Sequence, residues 1–87
     1  IVFRGETVKL EIVTTEETIF SDDVDIVIAP GTEGQLGILP RHASLLTALN
    51  SGDIVARKDG KESVITVNGG FLEVAGNHVR VLASSNQ

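Results

Sequence analysis

The 87-residue chain contains no cysteine, tryptophan, tyrosine or methionine, and it has only two prolines. Without cysteine it can form neither a disulfide framework nor a thiolate metal site. Its three aromatic residues are all phenylalanine, so the rings on which bases and sugars usually stack are missing. No apolar run approaches the roughly 18–20 residues of a membrane-spanning helix. These absences argue against stacking-based recognition and thiol chemistry.

Basic residues are also few, with seven Lys and Arg against twelve Asp and Glu and a net charge of -5. Nucleic-acid binding is driven by the release of counterions and needs clustered cations. The basic residues here are scattered along the chain. The sequence therefore predicts no nucleic-acid partner.

The length predicts a single domain over residues 1–87, with residues 1–6 as a leader and residues 84–87 as a polar tail. A chain of this size buries about 60–65% of the surface that its unfolded form exposes. That is enough for a core, but it leaves little room for a deep catalytic cleft.

Alternating apolar and polar residues predict that most of the chain forms short β-strands. In the first strand Val8, Leu10 and Ile12 share a face, as expected when one side is buried. A second strand is predicted at residues 18–20. The short oxygen-bearing side chains of residues 21–23 predict a turn after it.

The third strand continues the alternation but is apolar on both sides. Val24, Ile26 and Ile28 are expected to face the core, with Val27 and Ala29 on the opposite, partly covered face.

Turn signals divide the second half of the chain. Asp59-Gly60 is a favoured hairpin turn because both positions need positive φ, and Gly76-Asn77 predicts another. Residues 68–70 predict a further turn, whose paired glycines favour a bulge or a close backbone approach over a binding loop. The resulting eight or nine short strands indicate a β-sandwich or barrel.

Residues 30–50 interrupt this rhythm and hold both prolines. Gly31, Gly34 and Gly37 form GxxGxxG, which is neither the dinucleotide-binding pattern nor a P-loop, and they predict consecutive turns with positive φ. Residues 43–49 then fit both the helical period and the alternation of a strand.

Chemical groups are present, but not in a pattern that predicts catalysis. Asp22, Asp23 and Asp25 lack the spacing of a calcium loop, and a solvated turn explains them better. His42 and His78 have no nucleophile or further ligands at recognisable spacing. We predict no catalytic residue, no metal and no cofactor. On residues alone the chain is an acidic β-domain that binds another macromolecule.

Two alternatives stay open at this point. One is a small enzyme that uses His42 with one of the three aspartates. The other is a free-standing β-sandwich adaptor or carbohydrate-binding module, which the missing Tyr and Trp disfavour.

The central stretch APGTEGQLGILPRHASLLTAL, residues 29–49, resembles the hallmark of the epsilon subunit of rotary F-type ATP synthases. VKLEIV at residues 8–13, FS at 20–21, NGGFLEV at 68–74 and VRVLAS at 79–84 resemble further strands and motifs of that family. The resemblance runs in order through most of the chain.

The resemblance implies a fold and a function. The fold is a flattened antiparallel β-sandwich in which residues 45–49 form a strand; the helical hairpin that follows in the family is expected to be absent from this sequence. The function is that of a non-catalytic rotor subunit, which links the gamma subunit to the polar loops of the c-ring and couples proton transport to ATP synthesis. Its place would be peripheral, on the cytoplasmic face of the bacterial inner membrane or the equivalent face in an organelle.

The same resemblance implies contact residues by position. Those expected to meet the c-ring are Glu33, Gln35 and Leu36, and those expected to meet gamma are His42, Leu45 and Thr47. The sequence departs from the family pattern at three places: Gln35 stands where glutamate is common, Arg41 where glycine is usual, and Ser44 where proline is usual.

Overall fold

The structure, a computed structural model, describes residues 6–84. The predicted all-β class is confirmed, since this part of the chain contains strands and no helix. Residues 1–5 of the predicted leader and residues 85–87 of the predicted tail lie outside the described range. The strands are β1 (Val8–Val13), β2 (Thr18–Val24), β3 (Ile26–Gly31), β4 (Gly34–Ile38), β5 (Leu45–Lys58), β6 (Lys61–Ala75) and β7 (His78–Ala83).

The seven strands form one sheet in the order β2-β1-β7-β6-β5-β3-β4. Neighbouring strands are antiparallel, except that β1 and β7 run parallel. Across residues 6–84, no helix is long and apolar enough to cross a membrane.

The expectation of eight or nine short strands was wrong because two strands are long. β5 has 14 residues and β6 has 15, and they pair with each other along their whole length. The segment after His42, which periodicity left open, is the first part of β5. Residues 68–70, predicted as a turn, lie inside β6.

These two long strands make the sandwich. Residues 70–75 of β6 pair with β7, beyond which lie β1 and β2. On the other side, β5 pairs with β3 through residues 55–57 and Leu49, and β4 lies beyond β3. Buried residues from all seven strands form one cluster between the two layers. The cluster comprises Val8, Leu10, Ile12, Val24, Val27, Ala29, Ile38, Leu49, Ile54, Ala56, Val67, Leu72, Val74, Val79, Val81 and Ala83.

The alternation changes phase where β5 and β6 pass from one layer to the other. In β5 the buried positions change from odd to even, between Leu49 and Ile54. In β6 they change between Val67 and Leu72. A regular strand cannot do this, since its side chains switch faces at every residue. The change therefore marks a corner in the sheet.

Glycines at this corner let the backbones come close together. Gly69 and Gly70 have φ values of 101° and 141°. A Cβ atom on Gly70 would overlap the carbonyl oxygen of Leu82 on β7 and lie 3.0 Å from the Cα of Ala83. The predicted close backbone approach is confirmed here.

A bend at Asp25 makes two predictions about β2 and β3 wrong. Residues 21–23 are not a turn but lie inside β2, because the chain bends two residues later. The bend also shifts the phase: Val27 and Ala29 are fully buried, whereas Ile26 and Ile28 are half-buried. The faces of β3 are thus the reverse of those expected.

The hairpin turns follow the sequence. Asp59 and Gly60 have φ values of 52° and 79° and join the paired residues Lys58 and Lys61, the pattern of a type I′ turn. Gly76, with φ of 62°, begins the turn between β6 and β7. Both predicted hairpins are confirmed.

Candidate interaction surfaces

The stretch of three glycines forms a tight β-hairpin. Gly31 pairs with Gly34, so the turn between β3 and β4 consists of Thr32 and Glu33 alone. The expectation of consecutive positive-φ turns was wrong: Gly34 has φ of 131°, whereas Gly31 and Gly37 lie in strands without positive φ. We call residues 31–36 the hairpin tip.

The turn of this hairpin is attached to β5. The amide of Thr32 donates to the carbonyl oxygen of Ala48 at 3.1 Å. Pro30 lies where pairing between β3 and β5 is interrupted, between Ile28 and Gly31. A proline has no amide to donate, so it is tolerated at such an irregularity. Residues 32–35 of the tip are therefore exposed, but the turn is held against β5.

The structure brings the three predicted c-ring contacts together at this tip. Glu33 and Gln35 are exposed, and within residues 6–84 their side chains make no hydrogen bond or ion pair. Leu36 is half-buried and pairs with Ala29, a core residue. Two polar side chains are thus available to another molecule, while Leu36 is shared between the core and the surface.

Of the predicted gamma contacts, one lies in the connection before β5 and two lie in β5 itself. His42 is half-buried in the connection from β4 to β5, with its Nδ1 atom 2.7 Å from the carbonyl oxygen of Ala43. Leu45 packs against the core, and Thr47 is half-buried. Leu46, between them, is 72% exposed. The sequence shows this alternation, but it does not say which face is covered.

An apolar row crosses four strands, with its two central residues exposed and its two end residues half-buried, and the sequence did not reveal it. Ala48 on β5 pairs with Phe71 on β6, which pairs with Leu82 on β7, which pairs with Val13 on β1. Phe71 and Leu82 are 57% and 48% exposed. Leu46 lies two residues from Ala48 on the same side of β5. Contiguous exposed apolar surface commonly marks a protein contact.

Charged residues lie beside this row on the same face. The Glu11 Oε1 atom is 3.0 Å from His78 Nε2 and 3.4 Å from Arg80 Nη2. The hydrogen bond with His78 is the main cause that lowers the pKa of Glu11; partial burial opposes it, and the hydrogen bond with Arg80 adds to it. The ionised carboxylate therefore helps to join β1 to β7.

A pH dependence of stability follows from the lowered pKa. The contribution of ionised Glu11 is present above its ordinary pKa of 4.5 and is lost as the pH falls through the lower value of the folded chain. We expect Glu11→Gln to reduce the drop in Tm that the wild type shows between about pH 5 and pH 3. Thermal unfolding followed by circular dichroism measures this. Glu16→Gln, in the exposed connection between β1 and β2, is the control and should leave the drop unchanged. Equal drops in wild type and Glu11→Gln would contradict the assignment.

The residues of the enzyme alternative have separate partners. Asp22 Oδ1 accepts from Lys58 Nζ at 3.2 Å, which is the main cause that lowers the pKa of Asp22. Asp25 Oδ2 accepts from the amide of Asp59 at 2.9 Å. His42 is bonded instead to the backbone at Ala43. Within residues 6–84 no group of three or more His, Asp or Glu could hold a metal ion. These contacts give no support to a catalytic arrangement.

The fold defines the chain as a small β-sandwich domain whose single sheet has seven strands within residues 6–84. The family model described as "ATP synthase, Delta/Epsilon chain, beta-sandwich domain" matches residues 7–86. The chain belongs to this family, and the resemblance of its central stretch is confirmed.

Curated relatives agree with this assignment. The ATP synthase epsilon chain of Pelotomaculum thermopropionicum is 50% identical over 80 residues, which is 92% of this chain and 60% of the relative. That of Dehalococcoides mccartyi is 52% identical over 77 residues, or 88% of this chain and 55% of the relative. The chain thus spans a little more than half the length of these relatives.

Solved structures show the same fold at lower identity. A chain in the Euglena gracilis mitochondrial ATP synthase structure, described as OSCP/F1/c-ring in rotational state 1, matches with a TM-score of 0.83 and 22% identity. The match covers 88% of this chain and 50% of that chain. A chain in the Tetrahymena thermophila mitochondrial ATP synthase, described as central stalk/cring, matches with a TM-score of 0.75 and 16% identity over 92% of this chain and 65% of that one.

Proposed function

We propose that this chain is the β-sandwich part of an epsilon subunit and acts as a non-catalytic element of the ATP synthase rotor. In this role it links the gamma subunit to the polar loops of the c-ring, so that proton transport and ATP synthesis stay coupled. The observation that carries the proposal is the family match over residues 7–86, with about half of the residues identical to named epsilon chains. The complex is membrane-associated, and the chain would lie peripherally on its cytoplasmic or equivalent organellar face.

The surfaces of the domain support a linking role. The hairpin tip presents Glu33 and Gln35, whose side chains have no partner among residues 6–84, and this suits contact with polar loops. The connection that carries His42, together with Leu46 and the apolar row beside it, offers a second and more apolar surface for gamma. Leu45 and Thr47 remain part of this proposed contact, although Leu46 is the more accessible side chain.

The size of the domain is compatible with two partners. A standard protein contact covers about 800 Å² on each side. The accessible surface is 5402 Å², so two such contacts would take roughly 30% of it. The continuous core shared by all seven strands then gives a rigid body between the two partners. A rigid connector is what the transmission of rotation requires, since a loosely packed domain would yield before its partners turned.

Capture of the gamma subunit tests the proposed function. The tagged 87-residue chain should retain the cognate gamma subunit at micromolar concentration, and the chain alone should hydrolyse no ATP. An unrelated β-sandwich carrying the same tag is the control. Absence of association would contradict the proposal and favour a free-standing sandwich with another role, and ATP hydrolysis by the chain alone would contradict its non-catalytic part.

The hairpin tip gives a prediction about the c-ring. We expect Glu33→Lys to weaken attachment of the chain to gamma–c-ring complexes by about fivefold, because reversing a charge at the rim of a contact typically costs on the order of 1 kcal/mol. The Tm should not change, since Glu33 has no partner within the described residues. Co-sedimentation with purified complexes measures the attachment.

The matched control for this prediction is Glu16→Lys, which makes the same charge change in the exposed connection between β1 and β2. It should leave attachment as in the wild type. Equal attachment of Glu33→Lys and wild type, or equal loss in both variants, would remove the hairpin tip from the proposed contact.

A further inference from the structure

The connection between β4 and β5, residues 39–44, receives limited support from the core. We call it the β4–β5 loop. It contains no strand, and Leu39 at its start is 56% exposed. Leu39 and Pro40 line a cleft of about 390 Å³ together with Glu6 and Asp25. Because open space lies beside these two residues, the position of the loop must depend on contacts made elsewhere.

Arg41 makes such contacts with two distant parts of the chain. Its amide donates to Asn77 Oδ1 at 2.7 Å, in the turn between β6 and β7. Its Nε and Nη2 atoms donate to Glu6 Oε2 at 3.2 and 2.9 Å, just before β1. Asn77 is itself fixed, because its carbonyl oxygen accepts from the amide of Lys9 at 2.8 Å. One residue thus connects the loop to two strands that carry core residues.

The backbone of Arg41 is in an unusual conformation. Its φ is 69°, and Arg41 and Asp59 are the two non-glycine residues with positive φ in the part of the chain that the structure describes. Pro40 precedes it, and the amide of His42 donates to the carbonyl oxygen of Leu39 at 3.2 Å. This is the arrangement of a type II turn, with proline at the second position and, usually, glycine at the third. Arginine at the third position is held there against its own backbone preference.

We propose that Arg41 is a positioning residue, which fixes the β4–β5 loop and the following His42 by joining the turn to Glu6 and Asn77. Single ion pairs as exposed as this one contribute little to global stability; the guanidinium side chain is 63% exposed. The effect is therefore local order in the loop and not the stability of the domain. An ordered loop would be ready for contact with gamma before binding, and this consequence rests on the proposed function. The ordering of the loop by Arg41 does not depend on that function.

Amide hydrogen exchange, measured by NMR on the 87-residue chain, tests the restraint. The variants are Arg41→Gly and Glu6→Ala, and the readout is the exchange rate at residue 41, corrected for the intrinsic rate of each sequence. We expect about a fivefold increase in both variants, with no change at core amides such as that of Ile54. Glycine suits the left-handed conformation, so Arg41→Gly does not strain the turn, although it adds backbone freedom. Glu6→Ala leaves residue 41 unchanged, so faster exchange in that variant reports the lost side-chain contact alone.

Glu62→Ala provides the matched control. It removes the carboxylate from another exposed Arg–Glu pair, in which Arg57 Nη2 lies 2.6 Å from Glu62 Oε2, and it should leave exchange at residue 41 unchanged. Arg41→Lys should give an intermediate rate, because an ammonium group cannot reproduce the two guanidinium donors. Wild-type exchange in Glu6→Ala, or an equal increase in Glu62→Ala, would overturn the proposal. No partner protein is needed, so either result would leave the proposed function as it stands.

Discussion

Replacement of Gly70 by alanine is expected to destabilise the domain by about 4 kcal/mol, which combines backbone strain at positive φ with overpacking. The added methyl group would overlap the backbone of β7 at Leu82, which cannot move away as a flexible side chain could. The φ of 141° is also one that residues with a side chain rarely adopt. Domains of this size are only about 5–10 kcal/mol more stable than their unfolded state, so we expect either a much lower Tm or no soluble folded protein.

Gly37→Ala is the control for this change. Gly37 lies in β4 without positive φ, and a Cβ atom there would have no neighbour within 4 Å. Its substitution should shift the free energy of unfolding by less than about 0.5 kcal/mol. Urea unfolding of both variants measures the difference. If Gly70→Ala were as stable as Gly37→Ala, the close approach of β6 and β7 at the corner would be wrong.

Leu10→Ala is expected to cost about 3 kcal/mol, because Leu10 is fully buried and its removal leaves a cavity. β1 lies between β2 and β7 in the sheet, so the backbone around Leu10 is held on both sides and can collapse little into the space. Urea unfolding gives the free energy, and an unchanged slope with denaturant would show that the compactness of the unfolded state has not altered.

Ile26→Ala is the informative comparison for Leu10→Ala. The alternation in the sequence places Ile26 in the core, but the bend at Asp25 leaves it half-buried. We therefore expect a loss of about 1 kcal/mol, below the roughly 2–5 kcal/mol of a fully buried isoleucine. If the two variants lost equal free energy of unfolding, the burial of Val27 and Ala29 in place of Ile26 and Ile28 would be contradicted. The result would favour the burial pattern that the sequence alone predicts.

Much of the fold could be predicted from local patterns in the sequence. The alternation in β1 and the turns at Asp59-Gly60 and Gly76-Asn77 depend on near neighbours, and all three are confirmed. Resemblance to the epsilon family then decided that the leucine-rich segment after His42 is a strand. Periodicity alone could not make that choice, because the two-residue period of a strand and the 3.6-residue period of a helix both fit this short run.

Long-range geometry accounts for what the sequence did not predict. A bend at Asp25 and a corner at Gly69-Gly70 each reverse the facing of the residues that follow, so the alternation before such a point does not predict which residues are buried after it. For the same reason the row that contains Phe71 and Leu82 was not foreseen. Its members come from different strands, and only the register between those strands brings them together.

The same contrast between local pattern and long-range geometry applies to the candidate contact residues. Glu33 and Gln35 were expected at a contact loop only from the resemblance to the epsilon family, and the structure shows that both are exposed at the hairpin tip. Leu45 and Thr47 also come from the resemblance. The structure leaves Leu46, between them, as the exposed side chain, because the face of β5 that meets the core is fixed by strands far away in the sequence. Arg41 shows a further gap. Its two partners, Glu6 and Asn77, are separated from it by about 35 residues in opposite directions, so no local pattern reveals them.

The natural absence of cysteine makes one measurement especially direct. A single cysteine can be introduced at Gln35, on the hairpin tip, or at Leu46, on the exposed side of β5. Each variant is assembled into the ATP synthase, and a bifunctional cross-linker then joins its cysteine to the neighbouring subunit. We expect Gln35→Cys to be linked to the c-ring and Leu46→Cys to the gamma subunit. If neither position reached these partners, or both reached the same one, the domain would not join gamma to the c-ring in the way proposed.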